Sequence, residues 1–131
     1  MSLDSNISIN PDRLWNTLDE MSKIGPGIAG GNNRQTLTFE DGEARKLLKK
    51  WCDDLKMEMK VDNLGTMYFK RSGQDNDALP VVIGSHLDTQ PTGGKYDGIL
   101  GVLAGVEIVK TLNDLDLKTK RPIMIVNWTN E

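Results

Sequence analysis

The chain has 131 residues, a formal net charge of −3 and an isoelectric point near 5.2. That length allows one domain with a packed core, and the acidic balance argues against a nucleic-acid partner, because a phosphate backbone attracts a basic surface. The single cysteine, Cys52, excludes an internal disulfide framework and is expected to be buried in a helix. The longest nearly apolar run, residues 99–109, is too short to cross a membrane, and the N-terminus lacks the pattern of a signal peptide. We therefore expect a cytoplasmic protein with no membrane partner.

The first predicted element is an amphipathic helix near the N-terminus. Residues 1–9 are expected to be flexible, and Asn10-Pro11 supplies a helix cap followed by proline at the first helical position. The helix should end at Gly25-Pro26-Gly27. Residues 25–38 are rich in Gly and Asn and predict a long loop, which is either functional or a simple connection.

A second helix and a β-hairpin are predicted next. Thr38 can cap a helix that runs from residue 39 to about residue 56, with an apolar stripe at helical spacing. Residues 57–61 alternate like a half-buried strand, residues 62–65 resemble a turn, and residues 66–70 return as a second strand.

The second half of the chain predicts a βαβ unit. Residues 80–84 and 122–126 are short apolar runs, typical of strands that are covered on both faces. Between them, residues 98–113 predict a helix whose glycines at 98, 101 and 105 lie along one face, which we expect to allow close contact with a sheet. Strand, helix and strand in this order predict parallel strands with a right-handed crossover. The predicted fold class is therefore α/β, with a mixed sheet, the hairpin and flanking helices.

Polar residues follow both predicted parallel strands. His86 and Asp88 come after the first strand, Asp97 stands at the start of the crossover helix, and Glu131 follows the second strand. Because ligands of open α/β sheets bind at the carboxyl ends of the strands, we expect these residues to converge. Taken singly, each has a simpler explanation: His86 as a structural residue, Asp97 as a helix N-cap and Glu131 as a terminal residue.

These residue types together suit a hydrolytic metal site. Neutral imidazole is a common zinc ligand, and a carboxylate such as Asp97 can bridge two cations. Asp88, two positions from His86 on an extended segment, can accept the other ring N–H of a ligating histidine and orient it. A glutamate beside the metals can take a proton from water and deliver it to a leaving nitrogen.

The segment that carries these residues resembles a known family. Residues 84–105 read Gly-Ser-His-Leu-Asp-Thr-Gln-Pro-Thr-Gly-Gly-Lys-Tyr-Asp-Gly-Ile-Leu-Gly-Val-Leu-Ala-Gly, similar to the signature of the amidase/hydantoinase/carbamoylase branch of the M20 dinuclear zinc hydrolases. Supporting matches are Gly30-Gly31-Asn32-Asn33-Arg34 and Asn127-Trp128-Thr129-Asn130-Glu131. The resemblance covers residues 10–131. It implies the N-terminal portion of a single metallohydrolase catalytic domain, without the lid and dimerisation domain and without the C-terminal part.

The resemblance assigns a role to each matching position. His86 matches a terminal metal ligand and Asp97 the carboxylate that bridges both metals. Asp88 matches the acid that orients the histidine, and Glu131 matches the general base, the first of a Glu-Glu pair whose second member would be the next residue. Two further histidine ligands are expected elsewhere in the parent, because this chain has one histidine. We therefore expect weak metal binding and negligible turnover from these 131 residues alone.

The activity implied for the parent enzyme is hydrolysis of a C–N bond in a ureido or carbamoyl group. Its small-molecule substrate would be an N-carbamoyl amino acid or β-ureidopropionate. The implied cofactors are two divalent metal ions, zinc first and manganese, cobalt or nickel otherwise, and the implied partner is a second copy of the parent. Three alternatives stay open: an allantoate amidohydrolase, an M20 aminopeptidase or dipeptidase, and a non-catalytic folded module.

Overall fold

A computed structural model describes residues 7–131 of the chain. Within that range the elements follow the order α1 (Pro11–Ser22), α2 (Phe39–Asp54), β1 (Glu58–Val61), β2 (Met67–Arg71), β3 (Val81–Ser85), α3 (Ile99–Asp114) and β4 (Ile123–Asn127). Of the predicted flexible N-terminus, residues 1–6 lie outside the described residues and residues 7–9 have no regular secondary structure.

The predicted starts of the first two helices are confirmed. The Asn10 side chain accepts a hydrogen bond from the Arg13 amide, with proline at the first helical position, and the Thr38 hydroxyl accepts one from the Asp41 amide. Both side chains satisfy amides that have no partner within the helix.

The four strands form one mixed sheet in the order β1-β2-β4-β3. β1 pairs with β2 and β2 with β4 in antiparallel fashion, whereas β3 and β4 are parallel. The hairpin and the βαβ unit are therefore both present, and the predicted α/β fold class is confirmed. The parallel register pairs Ser85 with Asn127, so β3 and β4 end at the same level.

The glycines of α3 make the close helix-to-sheet contact that the sequence predicts. A Cβ atom added at Gly101 would lie 2.6 Å from the Cβ of Ser85, and one added at Gly105 would lie 3.1 Å from Ile83 and 3.2 Å from Ile125. These distances leave no room for larger side chains, so the helix axis can approach the parallel strands. The core lies between this face of the sheet and the helices, and it includes Phe69 and Leu103.

One prediction about the sheet is wrong: β3 is not covered on both faces. Val81 and Val82 are 49% and 52% exposed, whereas Ile125 of β4 is fully buried. β3 is the last strand of the sheet. Since successive side chains point to opposite faces, Val82 faces away from α3. An apolar run is compatible both with a strand covered on two faces and with an edge strand that has one open face, and composition does not distinguish these two cases.

Cys52 is buried in α2, as the sequence predicts. Burial raises the pKa of its thiol to about 12, which leaves the nucleophilic thiolate unpopulated near neutral pH. In the described part of the chain, no helix has both the length and the apolar character needed to span a bilayer.

Candidate active site

Hydrogen bonds join the chain segments that follow the two parallel strands. The Trp128 amide donates to the Ser85 carbonyl at 2.8 Å, and the Leu87 amide donates to Oδ1 of Asn127 at 2.9 Å. Asn127 is 1% exposed and is the last residue of β4. Its side-chain oxygen accepts the Leu87 amide and so extends the hydrogen bonding between the two strands past the end of β4. The segment that begins at His86 therefore starts beside the segment that ends at Glu131.

His86 is oriented by a hydrogen bond two residues along the chain. Its Nδ1 lies 2.8 Å from the main-chain oxygen of Asp88 and 3.6 Å from Oδ1 of the same residue. Because a carbonyl oxygen only accepts, Nδ1 carries a proton, and in the neutral ring Nε2 then has the lone pair. The sequence predicts that the Asp88 carboxylate orients His86. In the structure the closer contact of Nδ1 is with the main-chain oxygen of Asp88.

The carboxylate of Asp88 instead connects the two segments to each other and to an earlier loop. Its Oδ2 accepts the Thr36 hydroxyl at 2.7 Å and the Glu131 amide at 3.1 Å. Its Oδ1 is buried and has no hydrogen-bond partner among residues 7–131. A buried carboxylate oxygen of this kind can accept a hydrogen bond from a ligand.

Asp97 is exposed at the start of α3, and it does not cap the helix. The cap position is Gly98, with φ of 74°, and no side-chain hydrogen bond caps the helix there. A Cβ atom added at Gly98 would lie 2.4–2.6 Å from three atoms of the His86 imidazole. The ring therefore lies directly against the backbone that follows Asp97, which explains the glycine at position 98. The simpler interpretation of Asp97 as an N-cap is wrong.

Glu131 is exposed and lines a cleft of about 200 Å³ with Asp88. Gln35, Thr36 and Gln90 also line this cleft and supply amide and hydroxyl groups. The sequence alone does not predict Thr36, Gln35 or Gln90 as site residues. Gln90 lies within the motif at residues 84–105. Thr36 and Gln35 reach the cleft only because the loop that precedes α2 folds over it, and no spacing rule predicts that fold.

The donor set fits part of a metal site. His86 has a lone pair on Nε2, and Asp97 has a carboxylate that is not used in capping, so each has the chemistry of a ligand. Residues 7–131 nevertheless contain no group of three or more His, Cys, Asp or Glu side chains that could hold a metal ion. Within residues 7–131, His86 and Asp97 are therefore two candidate ligands that do not by themselves form a complete site.

The chain is similar over nearly its whole length to carbamoylases. It is 64% identical over 126 residues to an N-carbamoyl-L-amino-acid amidohydrolase of Rhizobium meliloti, a match that covers 96% of this chain and 30% of that protein. A solved hydantoinase/carbamoylase family amidase from Burkholderia ambifaria is 49% identical, with a TM-score of 0.93 over 95% of this chain and 31% of that one. These likenesses relate the chain to the hydantoinase/carbamoylase amidases.

Two further findings qualify this relationship. A ureidoglycolate hydrolase of Arabidopsis thaliana is 30% identical over 131 residues, which are 28% of that protein. No family model matches the chain. The chain thus spans about 30% of the length of the carbamoylase and hydrolase relatives that it matches.

Proposed function

We propose that this chain is part of a metal-dependent amidohydrolase of the M20 type that hydrolyses the carbamoyl C–N bond of N-carbamoyl-L-amino acids. The observation that carries the proposal is the joining of the His86 and Glu131 segments through Asp88, in a chain that is 64% identical to a carbamoylase. The substrate class follows the name of that relative, and the residue roles follow the local chemistry described above.

Glu131 is proposed as the general base. It is exposed at the cleft, and its backbone amide is held by Asp88. A carboxylate there can accept a proton from the attacking water and return it to the leaving nitrogen, which hydrolysis of an amide requires. Asp88 supports this role by positioning the segment that carries Glu131.

His86 and Asp97 are proposed as ligands of a divalent metal centre, with zinc first and manganese, cobalt or nickel as alternatives. When bound, the cations supply polarisation of the scissile carbonyl and a water of lowered pKa. The chain's own contribution is an imidazole whose Nδ1 is bound to the Asp88 carbonyl, which leaves Nε2 for a cation, and the carboxylate of Asp97 beside Gly98, the residue that the ring packs against. The remaining ligands come from outside these 131 residues.

A carbamoyl substrate is favoured over the ureidoglycolate and allantoate alternatives by sequence identity. The carbamoylase relative is 64% identical, against 30% for the ureidoglycolate hydrolase and 30% for an allantoate deiminase of Glycine max. These substrates share the ureido group, so the residues that would bind it cannot separate them. Discrimination must come from contacts to the rest of the substrate.

A hybrid enzyme tests the proposal. Residues of this chain replace the 126 matching residues of the Rhizobium meliloti enzyme. Ammonia release is measured with N-carbamoyl-L-amino acids, ureidoglycolate and allantoate, and release of free amino acids is measured with dipeptides. We expect carbamoyl substrates to be hydrolysed fastest. Glu131→Gln in the hybrid should reduce kcat by at least about 100-fold, because a general base contributes about 10²–10⁴-fold.

Two controls make the hybrid experiment decisive. Glu40→Gln changes a carboxylate on α2 that none of the proposed roles uses, and it should leave kcat unchanged. The 131-residue chain assayed alone should release no measurable ammonia. A hybrid that folds and binds zinc but hydrolyses only dipeptides would refute the proposed substrate class.

A further inference from the structure

The glycine-rich loop (residues 25–34) is hydrogen-bonded to the segment that follows β3, and the proposed function does not explain this pairing. The Asn32 amide donates to the Gly93 carbonyl at 3.0 Å, and the Gly93 amide donates back at 2.9 Å. The Thr89 amide donates to the Arg34 carbonyl at 2.8 Å, and the Arg34 amide donates to the Thr89 hydroxyl oxygen at 2.7 Å. The loop therefore holds the His86-bearing segment at two places.

Arg34 lies at the centre of this contact and is fully buried. Its Nε donates to the Leu87 carbonyl at 2.8 Å, and its Nη1 donates to the carbonyls of Ile24 and Met21, the latter at 3.5 Å. Leu87 stands between His86 and Asp88 in the chain. The Arg34 side chain thus binds the main chain between His86, whose ring donates a hydrogen bond, and Asp88, whose carbonyl accepts it.

A buried guanidinium is costly, which argues that Arg34 does more than fill space. Burial lowers its pKa, and the charges of Asp41 and Asp88 oppose that effect. Its Nη2 is buried without a hydrogen-bond partner in the described part of the chain. A neutral apolar side chain of similar volume would avoid the desolvation of a charge, but it could not join the Leu87 carbonyl to the carbonyls of Met21 and Ile24 at the end of α1.

We propose that Arg34 is a positioning residue of the candidate site, acting through the Leu87 carbonyl to hold His86 in the Nδ1–H tautomer. By fixing residues 86–88, it keeps the Asp88 carbonyl within reach of Nδ1 and so leaves the lone pair on Nε2. The significance of this tautomer for catalysis rests on the proposed function, whereas the control of His86 by Arg34 does not. The inference can therefore fail independently of the proposed activity.

The single histidine allows a direct test on the 131-residue chain. Two-bond ¹H–¹⁵N spectra of the imidazole report which ring nitrogen is protonated, at a pH where the ring is neutral. We expect the Nδ1–H form in the unchanged chain and a mixture of both tautomers in Arg34→Met, because the Leu87 peptide is released. Arg34→Lys should fall between the two, since an ammonium can reach one carbonyl without bridging all three.

Two further variants exclude trivial explanations. Arg13→Met removes an arginine of α1 that binds Glu107 and Asp114, away from the site. It should lower stability and leave the His86 spectrum unchanged. If Arg34→Met does not fold, Thr89→Val decides, because it removes the hydroxyl that accepts the Arg34 amide and keeps the buried cation. It should shift the tautomer in the same direction by a smaller amount.

The outcomes that overturn the inference are specific. They are an Nε2–H tautomer in the unchanged chain, a folded Arg34→Met with an unaltered His86 spectrum, and an equal tautomer change in Arg13→Met. An unaltered spectrum in Thr89→Val overturns it where Arg34→Met is unfolded. A hybrid enzyme without activity would count against the proposed function and would leave these results intact.

Discussion

The two segments that carry the candidate site follow neighbouring parallel strands, yet the chain holds them differently. The segment after β3 pairs through its backbone with the glycine-rich loop and lies over the fully buried Arg34. Beyond Trp128, the segment after β4 is held through side chains: Arg45 donates to the Thr129 hydroxyl, and Asp88 accepts the Glu131 amide. Side chains lose rotamer freedom when they bind, so they hold a segment less firmly than backbone pairing does. The histidine side is therefore preformed, whereas Glu131 depends on a few side-chain contacts.

The largest expected effect comes from filling the space beneath the histidine. Gly98→Ala should destabilise the fold by about 3 kcal/mol or more, since it combines an unfavourable φ with overpacking. The added methyl would meet the His86 ring at 2.4–2.6 Å, against a backbone φ of +74°. Urea denaturation and the imidazole spectrum measure the two consequences.

Gly30→Ala is the matched control for that substitution. Gly30 has a φ of +78°, but nothing lies within 4 Å of an added Cβ. It should cost only the conformational strain, about 1–2 kcal/mol, and leave His86 unchanged. Equal losses in the two variants would show that the imidazole does not pack against Gly98 in solution.

The second effect concerns the link between the two segments. Asp88→Ala should destabilise by about 2 kcal/mol, because it leaves the Thr36 hydroxyl and the Glu131 amide without their acceptor. The order parameter of the Glu131 amide in ¹⁵N relaxation should fall. Thr36→Val removes only the first of these bonds and should preserve the order of Glu131. A rigid Glu131 in Asp88→Ala would mean that this segment is as preformed as the other.

A smaller effect is expected at the other end of the second segment. The Arg45 side chain donates to the Gly65 carbonyl at 2.6 Å and to the Thr129 hydroxyl at 3.1 Å. Arg45→Met should cost about 1–2 kcal/mol, increase the mobility of residues 129–131 and leave the His86 spectrum unchanged. Lys46→Met, at an exposed neighbouring position, should change stability by less than about 0.5 kcal/mol. A change at His86 in Arg45→Met would contradict separate anchoring of the two segments.

The smallest effect is expected at Glu107, which lies away from both site segments and provides a baseline. Burial alone raises the pKa of Glu107, but hydrogen bonds from Arg13, the Asn10 amide and Thr111 outweigh it and lower the pKa. A lowered folded pKa stabilises the protein above the unfolded value, and this contribution is lost as the pH falls through the folded value. Glu107→Gln should therefore cost about 1 kcal/mol at neutral pH and progressively less below about pH 4.5. Urea denaturation at several pH values checks this. A difference in unfolding free energy between Glu107→Gln and the unchanged chain that stays the same at every pH would contradict it.

Most elements were predictable because their signals are local. Caps, helical spacing and alternation depend on neighbouring residues, and the predicted cap at Asn10 and the glycine face of α3 are confirmed. The coverage of β3 was not predictable, since an apolar run is compatible with an edge strand as well as a central one. The cap at Asp97 failed because Gly98 takes the cap position, where its lack of a Cβ admits the His86 ring.

The sequence by itself determined the α/β fold, the parallel unit and the candidate residues His86, Asp88, Asp97 and Glu131, because each depends on spacing along the chain. Only the tertiary structure decided how those residues are held. The main-chain oxygen of Asp88 contacts His86, and the carboxylate of Asp88 binds Thr36 and the Glu131 amide. The physical reason is that the two contacts of the Asp88 carboxylate join residues 52 and 43 positions apart. Which distant groups meet depends on how the loops close over the sheet edge, and no local pattern encodes that closure.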